Sequence, residues 1–410
     1  MRTPATQTWR SRMWTMALGA MALPCIAMAG DVAADDAPSR AWQVSAIYTG
    51  EYLRNARGGL AVGGDYLDNL DLQLAVDGER AFGVPGLSAF VYGLYDNGGS
   101  ISGRYVGDIH AVSNIEAVRA WRLYEAWVDW RPSRRRDLSL RFGLYDVNSE
   151  FDASSVSGLF INGTHGMGID FSQAGLNGPS IFPFTSLGLR LQAHWKAGWS
   201  ARFAVLDGVP QDPDRPAATR IRLGGADGAL LAAEVAQESA GRRAVLGHWR
   251  FTTDFDDLGR VDAVGQPLRR SGSHGSYAFV EGDLWRASAG ARRLQGVLRV
   301  GIASADVNPV QRSARLGLVL DEPFAGGLAD QVGVAFAVAR YGSPYLLGSA
   351  EAGSPRLRSE SNIELTYRIA PSDWLTLQPN VQWVINPGGE PGIADAWVLG
   401  LRFEVRGASH

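Results

Sequence analysis

The sequence has little cysteine, little lysine and no long apolar run after its first thirty residues. Among its 410 residues, Cys25 and Lys196 are the only members of these two types. One cysteine is too few for a disulfide framework or a set of zinc ligands. No later segment contains eighteen unbroken apolar residues, so no transmembrane helix is predicted there. Gly-x-Ser-x-Gly, His-Glu-x-x-His and phosphate-loop motifs are also absent, so no motif indicates an enzyme.

The N terminus has the three parts of a secretory signal peptide. A segment with three arginines precedes an apolar stretch at 14–28, and Ala27-Met28-Ala29 offers a cleavage site between small residues. We expect residues 1–29 to be removed and residues 30–410 to form a single transmembrane barrel domain. A membrane anchor is the alternative, but the apolar stretch is short for one. Removal would change the formal net charge from −3 to about −6, because three arginines and no acidic residue are lost.

The rest of the chain is dominated by alternating apolar and polar residues. Clear examples run from Trp42 to Thr49, from Leu70 to Asp77 and from Trp397 to Val405. This alternation predicts strands with one apolar and one polar face. Sixteen such runs are predicted, near 42–51, 69–79, 86–96, 119–130, 137–146, 185–195, 199–208, 228–236, 242–252, 274–285, 295–303, 313–320, 330–340, 361–369, 374–385 and 395–405.

The connections between these runs tend to alternate in length. Short connections are predicted at 80–85, 131–136, 196–198, 237–241 and 370–373. Long connections are predicted at 52–68, 97–118, 147–184, 209–227, 253–273 and 341–360. Tryptophans flank the short ones, as is typical of a membrane interface: Trp130, Trp195, Trp199, Trp285 and Trp374. Short periplasmic turns and long outer loops are typical of an outer-membrane β-barrel, in which closure pairs every backbone group.

The third long connection is the most unusual segment. Residues 147–184 are rich in Gly, Ser, Asn and Pro, but they also contain aromatic residues such as Phe151, Phe160 and Phe182. A segment this apolar must pack against something, and a long loop in a compact protein is usually functional. Sixteen strands enclose an aqueous channel. We therefore expect this loop to fold inward and narrow the bore.

Several segments resemble the carbohydrate-selective porins of the OprB type. These segments are WRLYEAW at 121–127, NSEF at 148–151, GLFINGTHG at 158–166, GPSIFP at 178–183, LGLR at 187–190, FDD at 255–257, WLTLQPNVQ at 374–382 and NPGG at 386–389. The resemblance implies an all-β transmembrane antiparallel barrel that passes glucose-like monosaccharides into the periplasm by facilitated diffusion, with no enzymatic activity, cofactor or metal. Most such barrels end on an aromatic residue, whereas this chain continues past Phe403.

Candidate pore residues follow from the alternation of side chains between the two faces of each predicted strand and from the composition of the loop. A sugar offers hydroxyl groups and C–H faces, so a selective constriction needs charged or amide groups and an aromatic surface. Binding must also stay weak enough for release. The candidates on strands are Arg119, Trp121, Glu125, Arg141, Arg190, Arg202 and Arg299, and those in the loop are Asn148, Glu150, Asn162 and His165. The competing interpretation is that the arginines are wall charges that only pair with carboxylates across the bore.

Other functions and the expected partners follow from the same pattern. A general diffusion porin or an anionic-solute porin remains an alternative, because several predicted lumen residues are arginines. A lipid hydrolase is disfavoured, since its serine and histidine would lie on an apolar face. Expected partners are a monosaccharide, outer-membrane lipid and the barrel-assembly machinery, with either a homotrimer or a monomer as the assembly. No nucleic-acid partner is indicated, because basic clusters such as 134–136 are isolated.

Overall fold

Sixteen strands, each paired antiparallel with its neighbours along the chain, close into one barrel. The computed structural model describes residues 40–132, 137–210, 215, 218–219, 221, 227–288, 292–324 and 329–407. The strands are β1 Trp42–Gly59, β2 Gly63–Asp77, β3 Leu87–Asp96, β4 Ala120–Trp130, β5 Leu138–Tyr145, β6 Ser186–Trp195, β7 Trp199–Asp207, β8 Ala229–Ser239, β9 Arg242–Val261, β10 Pro267–Arg286, β11 Arg293–Ala303, β12 Val310–Asp321, β13 Ala329–Tyr341, β14 Ser359–Ser372, β15 Leu375–Ile385 and β16 Ala394–Arg406. All sixteen predicted strands are confirmed. The proposed signal peptide and the cluster at 134–136 lie outside the described residues.

Two of the predicted long connections are wrong. β1 and β2 are joined by residues 60–62 alone, and β9 and β10 by residues 262–266. The strands continue well beyond the predicted limits because backbone pairing can persist where no lipid is present. Hydrophobic alternation ends at the edge of the lipid, since only a lipid-facing strand must be apolar on one side.

Helices contribute little to the barrel. The described residues include α1 Gly78–Phe82, α2 Ile169–Ser172 and α3 Ser343–Glu351. None of the helices in the described ranges is long and apolar enough to cross a membrane.

Side chains on the wall divide into an apolar outer face and a polar inner face. On β5, Leu140 and Phe142 are exposed on the outside, whereas Arg141 between them is buried on the inside. The five tryptophans predicted to form an interfacial girdle are all 42–57% exposed next to short turns. The indole can meet both lipid and water there, because its ring is apolar and its N–H is a donor.

The long loop between β5 and β6 folds into the barrel and is fixed to the far wall. Arg299 on β11 donates to Asp152 through Nη2 (2.7 Å) and also pairs with Asp170. Glu364 on β14 accepts from the backbone N–H groups of Ile161 (2.8 Å) and Asn162 (2.9 Å). These wall charges therefore satisfy the loop's carboxylates and backbone groups inside the barrel.

Apolar contacts complete the attachment of this loop. Phe171 stacks on the inward-facing Trp249 of β9, with ring centroids 5.0 Å apart and an interplanar angle of 4°. Phe151 and Met167 belong to the same buried cluster. Since the aromatic residues of the loop need a partner inside the barrel, this part of the lumen wall is apolar rather than polar.

The connection between β3 and β4 also folds inward, which was not predicted. Glu360 on β14 accepts from the backbone N–H groups of Ile109 and His110, and Gln382 on β15 donates to the carbonyl oxygen of Val112 at 2.6 Å. The N–H of Asn114 donates to the carbonyl of Ile161 at 2.9 Å, so the two inward loops support each other.

We expect Arg299→Gln to loosen the inward loop, because Asp170 would be left buried without a cation and Asp152 would keep only Arg315, at 3.6 Å. Loss of one member of a buried ion pair costs about 3–5 kcal/mol. The folded barrel should convert to the unfolded form at a lower temperature on gel electrophoresis, and the loop should become accessible to protease.

Arg269→Gln provides the matched control for this change. Arg269 pairs with Asp256 at 2.6 Å, but both side chains are about 60% exposed. An exposed pair contributes about 0–1 kcal/mol, so little change is expected. Equal melting and protease resistance of the two variants would contradict the anchoring role of Arg299.

Candidate constriction site

A row of three charged residues crosses the inner wall where the inward loop begins. Asp129 on β4 is directly opposite Arg141 on β5, which is directly opposite Arg190 on β6. Arg141 Nε lies 3.2 Å from Asp129 Oδ2, and Arg190 Nη2 lies 2.7 Å from the same oxygen. The register of neighbouring strands therefore brings together residues that are far apart in sequence.

Glu150 in the loop covers this row. Arg190 donates to it twice at 2.8 Å, and the hydroxyl of Tyr145 donates at 2.6 Å. Arg141 Nη1 lies 3.5 Å from its carboxylate, and the Arg141 guanidinium lies 3.8 Å from the Trp127 ring centroid. The result is a small site with guanidinium donors, a carboxylate acceptor and an adjacent aromatic ring.

The charged wall continues along the next strands. Arg202 on β7 is paired across the sheet with Glu234 on β8, and its Nη1 lies 3.2 Å from the carboxylate. Arg243 on β9 bridges Glu234 (3.2 Å) and Glu281 on β10 (3.4 Å). Positive and negative groups thus alternate around this part of the bore.

The charges of the wall keep Glu150 ionised. Burial by itself would raise the pKa of this carboxyl, but Arg141, Arg190 and Arg202 outweigh burial and lower the pKa to about 2. Burial, followed by the charges of Arg315 and His110, lowers the pKa of His165 well below its ordinary value. Glu150 is therefore an anion at neutral pH, whereas His165 is uncharged.

Only part of the cluster is accessible from the bore. The side chains of Glu150, Arg202 and Arg243 are 14%, 17% and 19% exposed. Those of Arg141 and Arg190 are 7% and 1% exposed. Arg190 consequently holds Glu150 in place from behind, while the three more accessible groups can meet a solute.

Four predicted residues lie in the supports of the loop instead of the charged row. Asn148 donates to the carbonyl of Phe151 at 3.1 Å, and Asn162 donates to Gln382 at 3.0 Å. His165 packs on Phe160, and Arg299 is fully buried in its pairs with the loop carboxylates. Glu125, the remaining inward residue, is buried beside the row and accepts from Trp127 Nε1 at 2.9 Å.

The predicted inward direction of Arg119 and Trp121 is wrong. The β3–β4 register shifts so that Tyr124 is an extra residue between Leu123 and Glu125. This bulge reverses the parity of β4, because one added residue moves the following side chains to the other face. Trp121 is 59% exposed on the outside against Tyr95, and Arg119 is exposed and donates to the carbonyl of Asn97 at 3.0 Å.

Several important residues were missed by the sequence analysis. Trp127 could have been found, since it shares the parity of Glu125 and Asp129 on β4. Glu234 and Arg243 lie on strands whose inward face is otherwise apolar and includes Trp249. The polarity of the residues therefore did not distinguish the inward face of these strands from the outward face. Asp152 lies only two residues after Glu150, but nothing in the sequence links it to Arg299, 147 residues away.

A neutral, hydroxyl-rich solute suits this arrangement. Between β4 and β10, four carboxylates and four guanidinium groups compensate one another: Asp129, Glu150, Glu234 and Glu281 with Arg141, Arg190, Arg202 and Arg243. Each hydroxyl of such a solute can donate to a carboxylate and accept from a guanidinium.

The chain is similar to known porins over most of its length. The sequence model of the family described as "Carbohydrate-selective porin, OprB family" matches residues 62–406. Porin B of Pseudomonas aeruginosa is 23% identical over 404 residues, which cover 87% of this chain and 86% of that protein.

Solved structures support the fold. The high-pH structure of OprB from Pseudomonas putida has a TM-score of 0.78 at 20% identity, covering 90% of this chain and 94% of the other. The outer membrane channel DcaP of Acinetobacter baumannii has a TM-score of 0.54 at 9% identity, covering 89% and 97%. Together with the closed barrel and its charged bore, the match to the family model indicates a channel rather than an enzyme. The chain belongs to the carbohydrate-selective porin family, OprB type, and is an outer-membrane sugar channel.

Proposed function

We propose that the channel passes neutral monosaccharides into the periplasm by facilitated diffusion, and that Glu150, Arg202 and Arg243 contact the sugar at the constriction. The observation that carries this proposal is the placement of one partly exposed carboxylate, Glu150, and two partly exposed guanidinium groups, Arg202 and Arg243, beside the inward loop. Hydrogen bonds to such charged groups stabilise a bound hydroxyl by about 1.5–3 kcal/mol each. Water competes for the same groups, so the sugar is held weakly and released.

The alternative of an anionic-solute porin is less well supported. Each arginine of the cluster already faces a carboxylate, so an anion would meet no uncompensated positive charge there. Arg141 is also shielded by Trp127 on one side. A general diffusion porin is disfavoured by the inward loops, which fill part of the bore.

Membrane insertion by the barrel-assembly machinery stays a prediction, as does the choice between a homotrimer and a monomer. The described part of β16 continues past Phe403 to Arg406 and pairs with β1 at that end. Residues 404–406 therefore belong to the wall, and an internal assembly signal is consistent with this placement.

The decisive test of the proposed function is liposome swelling with the purified protein. Glucose should enter faster than gluconate, which has similar size and a negative charge, and faster than mannitol, which is uncharged but not a ring. Glucose should also reduce the ion current through single channels. Entry ordered by size alone would indicate a general porin, and faster entry of gluconate would indicate an anion channel.

We expect Arg202→Ala to weaken the block of ion current by glucose about tenfold, since one charged hydrogen-bond donor is lost. Arg141→Ala and Arg190→Ala should also change sugar flux, because each helps to hold Glu150. Arg119→Ala is the matched control: it removes an exposed arginine on the outside. Unchanged flux in all three inner variants would reject the role of these inward-facing arginines.

The pH dependence of Glu150 gives a further prediction. Its folded pKa is about 2, below the ordinary value of 4.5. The stabilisation from its ionised form is therefore complete above about pH 4.5 and is lost as the pH falls toward 2. The native protein and Glu150→Gln should differ in thermal stability and ion selectivity from pH 8 to pH 5. The difference in thermal stability should shrink below pH 4.5, and the difference in ion selectivity should shrink only as the pH approaches 2. A difference that shrinks already between pH 7 and pH 5 would contradict the low pKa.

A further inference from the structure

An array of basic side chains points outward on one side of the barrel, in two groups that are separated by the exposed Ile302 of β11. We call it the basic belt, and it consists of His248 and Arg250 on β9, His274 on β10, Arg312 on β12 and Arg340 on β13. All five side chains are exposed. Arg250 is directly opposite His274, and Arg312 is directly opposite Arg340, so the register of the sheet sets their spacing.

The belt lies at the outer edge of the lipid-facing surface. β9 begins at Arg242, directly after a short turn, and Arg250 follows eight residues later. A strand rise of about 3.3 Å at a tilt of about 40° places Arg250 about 20 Å above that turn. The apolar band of such barrels is about 25 Å tall. Below the belt the same face is apolar, with Leu246 at 64% exposure and Val280 at 53%.

The arginines of the belt have no acidic partner within the described part of the chain. No ion pair is formed there by Arg250, Arg312 or Arg340, in contrast to Arg269 in the outer hairpin, which pairs with Asp256. His248 Nδ1 lies 2.9 Å from the hydroxyl of Ser276, which is neutral. Charged side chains on a lipid face are costly unless they reach the interface or meet a counter-charge.

An apolar groove adjoins the belt on the side toward the periplasm. Its volume is about 400 Å³, and its outward-facing lining is Ala201, Ala233, Val235, Leu246, His248 and Ser276. Small side chains on β7 and β8 leave this space beside the larger Leu246. The groove therefore offers an apolar surface for a hydrocarbon chain directly below basic groups.

We propose that the basic belt binds the phosphate groups of an acidic, phosphorylated lipid of the outer leaflet, with one acyl chain in the groove. Guanidinium groups match phosphate oxygens in two-pronged hydrogen bonds, and histidine can add a donor. A lipid phosphate also sits at the depth of the belt, at the junction of headgroup and hydrocarbon. This lipid site is separate from the bore and goes beyond the proposed sugar transport.

The test uses the whole mature barrel in detergent and lipid A with both phosphates as the probe. Native mass spectrometry would compare its binding with that of the same lipid lacking phosphates. The triple variant Arg250→Gln, Arg312→Gln, Arg340→Gln should bind phosphorylated lipid A about a hundredfold more weakly, as expected for about fivefold per arginine at a membrane surface. Arg269→Gln, also an exposed outer arginine, should bind like the native protein.

Three outcomes would overturn this inference. The first is equal binding of lipid A with and without phosphates. The second is a loss of lipid A binding in the Arg269→Gln control as large as that in the triple variant. The third is displacement of the lipid by an equal concentration of inorganic phosphate. If the triple variant fails to fold, Arg312→Gln alone should bind about fivefold more weakly. Glucose entry into liposomes should be unchanged in the belt variants, so failure of the sugar proposal and failure of the lipid proposal give different results.

Discussion

The need to pair every backbone N–H and C=O within lipid is the constraint on which this structure depends. Lipid offers no hydrogen-bonding partner, so an open edge would be very unfavourable and the sheet must close. Closure is achieved when β1 pairs with β16. A closed wall then separates two environments, and the period-two alternation of side chains follows from it. The same closure leaves a water-filled space that the loops can enter.

Within that space, buried charges and aromatic contacts act together. Arg299 joins the loop carboxylates to β11, while Phe171 stacks on Trp249. The charges satisfy groups that would otherwise be buried alone, and the aromatic contacts remove apolar surface from water. A loop held at so many points can present Glu150 at a constant position. A rigid constriction is what allows weak, geometric recognition of a solute.

Charge serves different purposes on the two faces of the wall. Inside, the guanidinium groups pair with carboxylates, so their charges largely compensate one another and hydroxyl groups find both donors and acceptors. Outside, the basic belt has no carboxylates paired with its arginines in the described residues, which leaves it suited to an anionic lipid. One strand, β9, contributes to both, because Arg243 points into the bore and Arg250 points toward lipid.

The sequence by itself determined the sixteen strands, the inward loop and several lumen residues such as Arg141 and Arg190. It could do so because water on one side and lipid on the other impose a strict alternation on each strand. Only the tertiary structure decided the bulge at Tyr124 that turned Trp121 outward, and the pairing of Arg299 with loop residues more than a hundred positions away. The alternation of residues before a bulge does not reveal that the bulge follows. Contacts across the lumen depend on the closed barrel rather than on neighbours in the chain.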